Sequence, residues 1–177
     1  PPYEDTAVNE DDYEYEDLGD EYEPFKNKCE YSTNLINKLN EFSKEKNVKL
    51  NMKLIDKAIT FAKKWHGTQM RKTGDHPFYW HPLKVAEMVA ERYTKTDVVI
   101  GAILHDTVED SKCTIELIED KFNQRIAEIV DRLTKMRFEN GEYIELTLEQ
   151  TLDKLSKLGD NEALFIKQMD RQHNLET

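Results

Sequence analysis

Two side chains able to bind cations and exchange protons, His105 and Asp106, close the apolar run Val98-Val99-Ile100-Gly101-Ala102-Ile103-Leu104. An imidazole and a carboxylate therefore emerge together from a segment that is otherwise core. A divalent ion is one good reason to place them there. The pair suits a borderline or hard first-row ion such as manganese, and the absence of a thiolate partner speaks against structural zinc. Alone, a His-Asp dipeptide at a helix end is more often an exposed cap.

The neighbours add weight. Glu109 and Asp110 follow one turn later, so 105 with 109 and 106 with 110 share a face if the helix continues. Carboxylates beside a metal are what activation of a water needs, one to take its proton and one to orient it. Upstream, Arg71-Lys72-Thr73-Gly74 offers a guanidinium fork and an ammonium able to clamp phosphates. His81, fixed ahead of Pro82, is placed to present a ring nitrogen. Downstream, Asp170, Asn174 and Thr177 fall at i, i+4 and i+7, one polar stripe that would equally serve as the solvent side of a helix.

The elements that must position these groups read as helices. Leu35, Ile36, Leu39 and Phe42 place one within residues 25–47. Asn51 caps a second, carrying Leu54, Ala58, Phe61, Ala62 and Trp65, that ends near Gly67. A loop with Gly74, Pro77 and Pro82 follows. Further helices are expected over 83–93, 97–105, 114–122, 125–136, 147–158 and 161–176, the last capped by Asp160 after Gly159. Residues 137–145, with Gly141, read as an excursion. No segment sustains a period-two pattern, so the fold class is all-α.

Composition bounds the rest. Of 177 residues, 38% are hydrophobic and 34% charged, and no apolar run approaches a bilayer span. The net charge of -11 belongs to one end: residues 1–24 contain eleven acids, four tyrosines and no base, while the remainder balances 25 acids against 25 bases. Residues 1–24 are expected to be a disordered, dispensable acidic tail ahead of one domain over 25–177. A neutral body lacks the clustered basic face that extended nucleic acid requires. Cys29 and Cys113 match no metal or redox spacing and read as reduced thiols in a cytoplasmic protein, with no membrane partner.

Taken together, four segments resemble the hydrolase domain of RelA/SpoT homologues. They are His66-Gly67-Thr68-Gln69-Met70-Arg71-Lys72-Thr73-Gly74, His81-Pro82-Leu83, Leu104 through Asp110, and Asp170-Arg171-Gln172-His173-Asn174. The match covers residues 50–177. It implies an HD-domain helical bundle with a metal site between helices, in which His81, His105, Asp106 and Asp170 ligate Mn2+ and Glu109 with Asp110 handle the attacking water. It implies substrate contacts from Arg71, Lys72, Thr73, Asn174 and Thr177. The reaction implied is removal of the 3′ diphosphate from guanosine tetraphosphate or pentaphosphate. Two alternatives stand beside it: a module that binds the nucleotide without turnover, and hydrolysis of another 2′- or 3′-phosphorylated nucleotide. His66 is assigned to packing, and His76 and His173 receive no catalytic role. The chain departs from the family at Thr73, Met169, Gln172 and Glu176, the last placing an acid where a base is common. The family domain continues past the position of Thr177, so a fragment or reduced version is expected, without synthesis of the nucleotide.

Overall fold

The computed structural model describes residues 29–67, 70–71 and 74–177; the acidic segment and Lys72 and Thr73 lie outside the described residues. Among them are eight helices and one two-stranded sheet: α1 Glu30–Lys46, α2 Met52–His66, α3 Trp80–Arg92, α4 Thr96–Leu104, α5 Ile115–Lys121, α6 Gln124–Leu133, β1 Met136–Glu139, β2 Glu142–Glu145, α7 Leu148–Leu158 and α8 Asn161–Glu176. The all-α class holds.

Side-chain caps start most of the helices where the sequence places them. Asn51 accepts from the Leu54 amide, Thr114 from Leu117, Asn123 from Ile126, Thr147 from Gln150 and Asp160 from Ala163, each satisfying an amide that has no partner within its helix. α3 begins earlier than expected, at Trp80 rather than Leu83. Pro82 lies in its first turn, where a missing N–H removes no helical bond, so the His-Pro pair belongs to the helix and not to the loop before it.

The core is built around α4, whose residues Thr96 and Val98 through Leu104 are all buried. It packs against α2, α3, α6 and α8. The approach to α6 leaves room for hydrogen only: a Cβ on Gly101 would stand 2.7 Å from Ile129 Cγ2. α4 stops at Leu104, close to its expected end, so the condition for 105 with 109 and 106 with 110 to share a helical face is not met. Short turns follow, with the Thr107 amide on the Leu104 carbonyl and the Asp110 amide on the Asp106 carbonyl, both at 3.0 Å.

The excursion after α6 is a hairpin. Phe138 pairs with Tyr143 and Met136 with Glu145, across a turn in which Asn140 and Gly141 both take positive φ, 52° and 80°. That is the Asn-Gly preference of a tight two-residue hairpin turn. Strands of four residues are too short for an alternating pattern to register. Among the described residues no helix is long and apolar enough to cross a membrane.

Candidate metal centre

Three helices deliver four donor groups to one point. His81 sits in the first turn of α3, His105 is the C-cap of α4, Asp106 follows it, and Asp170 lies midway along α8. One ligand atom from each lies within 4.8 Å of the others. Asp170 Oδ1 is 2.6 Å from His81 Nε2 and 3.2 Å from His105 Nε2. Asp106 Oδ1 is 3.2 Å from His105 Nε2, and its Oδ2 is 3.8 Å from His81 Nε2. His81, His105 and Asp170 are buried and Asp106 is partly open. The polar stripe on α8 therefore points inward at Asp170 rather than to solvent.

The hydrogen bonds behind these groups say what they can hold. His105 Nδ1 is 2.6 Å from the Ala102 carbonyl, which only accepts, so the ring keeps its proton there and turns Nε2 inward as a lone pair when neutral. The His105 Nε2 lone pair then converges with the carboxylate oxygens of Asp106 and Asp170, an arrangement that a proton or a cation relieves. Two imidazoles and two carboxylates, with no thiolate, make a donor set suited to a divalent first-row ion whose charge the carboxylates balance. The residues fit a metal.

Electrostatics follow this crowding. Burial works against charge on His105, but Asp106 and Asp170 overcome it and hold the imidazole well above its usual value. Burial likewise opposes ionisation of Asp170, and hydrogen bonds from His105 and His81 override it, keeping that carboxyl far below the ordinary range. Lys167 Nζ, buried one turn earlier on α8, donates to Asp170 Oδ2 at 3.0 Å.

Glu109 and Asp110 line the same cavity of about 520 Å3, together with Arg71, Phe78, Lys135, Asn174 and Thr177. Burial, with the charge of Asp106 behind it, raises the Glu109 carboxyl. The same causes, joined by Glu109, push Asp110 up to about 6. Glu109 also accepts a hydrogen bond from the Lys135 amide at the base of the hairpin. A second cavity of about 580 Å3 shares Lys135, Lys167, Asp170 and Asn174 and runs on past Arg171 toward Thr147.

Arg71 reaches this edge from the loop, 3.0 Å from Thr177 Oγ1 and 3.4 Å from Asn174 Oδ1. Its guanidinium lies over the Trp80 ring at 5.6 Å. His76 stacks on the same Trp80 ring, with centroids 3.9 Å apart, and is hydrogen-bonded to Tyr31 of α1 at 3.2 Å. His66 is buried against Phe78 at 4.9 Å with neither ring nitrogen hydrogen-bonded to protein, a packing position. Glu176 pairs with Gln172 on the exposed side of α8, away from both cavities.

Sequence reasoning did not single out Lys167 and gave His173 no catalytic role. His173 is buried, with Nδ1 2.7 Å from His81 Nδ1. The spacing of Lys167 and His173, each three residues from Asp170, puts them near its face of α8, but that spacing does not reveal the contact with His81.

Comparisons with known proteins bear on the site. An HD domain family model matches residues 58–177. A protein named guanosine-3′,5′-bis(diphosphate) 3′-pyrophosphohydrolase from Aquifex aeolicus is 36% identical over 128 residues, covering 70% of this chain and 17% of the relative. A probable GTP pyrophosphokinase from Mycobacterium leprae is 35% identical over 131 residues, 73% of this chain and 16% of the relative. A GTP pyrophosphokinase rsh from Brucella ovis is 33% identical over 135 residues, 72% and 17%. The matched part of the chain thus spans only 16 to 17% of the length of these relatives.

Proposed function

Since this chain belongs to the RelA/SpoT family through its HD domain, we propose that it is a Mn2+-dependent phosphohydrolase that removes the 3′ diphosphate of guanosine tetraphosphate and pentaphosphate. The observation that carries this reading is the convergence of His81, His105, Asp106 and Asp170 from three helices on a cavity whose walls also hold Glu109, Asp110 and Arg71.

In this scheme the four donors hold the ion, which when bound polarises the phosphorus and acidifies a water. Asp110 takes a proton from the water that attacks the 3′ diphosphate, and Glu109, tethered by the Lys135 amide, orients that water. The bond from phosphorus to the ribose 3′ oxygen breaks, that oxygen takes up a proton from solvent, and GDP or GTP and pyrophosphate are left. Arg71 carries the fork geometry that matches a diphosphate, and Asn174 and Thr177 lie within its reach for the ribose side. Lys167 offsets one carboxylate charge, so that the loaded centre repels a polyanion less.

The test is incubation of the protein with Mn2+ and guanosine tetraphosphate. Pyrophosphate release is expected, lost in Asp106→Ala along with Mn2+ binding while the helical circular dichroism remains. Ion binding without release in the unaltered protein overturns the assignment. Initial rates on pentaphosphate and on NADPH rank the substrate.

A further inference from the structure

Two buried imidazoles stand back to back beside the metal centre. His81 and His173 lie edge to edge with ring centroids 4.9 Å apart and planes 25° off parallel, and their Nδ1 atoms approach to 2.7 Å. Two ring nitrogens at that distance share one proton, so one ring donates and the other accepts.

The direction of this bond decides what His81 can do on its other side. With His81 donating, its Nε2 is a bare lone pair facing Asp106 and Asp170. With His173 donating, His81 carries its proton on Nε2, where it meets Asp170 Oδ1 at 2.6 Å and has no lone pair for a cation. For His105 the matching choice is made by the Ala102 carbonyl, which cannot donate. His173 holds the equivalent place behind His81. Its ring is itself held edge-on by Trp80, with centroids 4.9 Å apart and planes at 64°.

We propose that His173 is a positioning residue that accepts the Nδ1 proton of His81 and so presents His81 Nε2 to the ion. This rests on the metal reading above, and His173 touches neither ion nor substrate. A ring nitrogen differs from a carbonyl in that it can reverse the bond.

Two substitutions separate this role from packing. His173→Asn keeps an acceptor oxygen near the place of Nδ1 but removes the ring. His173→Phe keeps an aromatic ring at this position but removes the acceptor. Binding of Mn2+ alone is measured from the free-ion signal in electron paramagnetic resonance, with thermal melts of the metal-free proteins alongside. His173→Phe is expected to weaken Mn2+ binding about 10- to 100-fold, as loss of an outer-sphere partner typically does, and His173→Asn to retain most of the affinity. Wild-type affinity in His173→Phe overturns the proposal, as does a loss in His173→Asn as large as that in His173→Phe. Should His173→Phe fail to fold, weak binding by a folded His173→Asn overturns it by itself. If the unaltered protein binds no Mn2+, the metal reading falls and takes this inference with it; if it binds and His173→Phe binds equally well, only the role of His173 falls.

Discussion

Asp110 is a weaker acid than a free aspartate because burial, then the charges of Asp106 and Glu109, raise its carboxyl to about 6. A proton acceptor works only once ionised, so log kcat/KM is expected to climb as pH rises toward 6 and to level off above it. A cation at the adjacent centre stabilises the carboxylate and draws that limb lower, never higher. Asp110→Asn should remove the limb and cost about 10^2- to 10^4-fold in rate; a limb centred at neutrality or above, measured on the unaltered protein, would remove Asp110 from this role. Most of the chemistry-bearing residues were visible in the amino-acid order because their types are unusual beside core: His105 and Asp106 end an apolar run. His173 was not, since its importance lies in one short contact with His81, 92 residues away, and no spacing along one helix encodes a partner on another.

The helices were readable wherever a capping side chain coincided with apolar periodicity, as at Asn51 and Asp160, and less so where Pro82 looked like a breaker or where four-residue strands carried too few positions to alternate. Asp160 shows how much one such cap can carry. It caps α8, takes two parallel bonds of 2.9 Å from Arg125 and accepts a third guanidinium bond from Arg132 at 2.7 Å, tying α6 to α8. Burial opposes its charge, and the two arginines reverse that, so its carboxyl is held well below the ordinary range. The stabilisation is therefore complete above the unfolded carboxyl value of about 3.9 and fades as pH falls toward the folded one. Asp160→Asn should cost about 2–3 kcal/mol at neutral pH, below the usual figure for breaking a buried pair because Arg125 keeps Glu128 and Glu162. Chemical denaturation read by circular dichroism measures it, and the difference from wild type should narrow in acid; a difference that widens there contradicts the assignment.

At the scale of the whole molecule, charge and fold are separate matters. The acidity of the chain resides in residues 1–24, whereas the remaining residues balance acids and bases, so the net charge offered no guide to a site lined by Arg71, Lys135 and Lys167. What the fold adds is distance in sequence made short in space: Asp170 meets His105 across 65 residues and His81 across 89. No denatured chain holds those groups together, so on the proposed reading the ion is a ligand of the native state alone. Each tenfold rise in free Mn2+ above its dissociation constant then adds about 1.4 kcal/mol to the unfolding free energy. Melting temperature should climb with the logarithm of ion concentration and stay level in Asp106→Ala. A cell poor in manganese would hold a bundle easier to melt and to digest, so supply of the ion would govern the lifetime of the protein as well as its turnover.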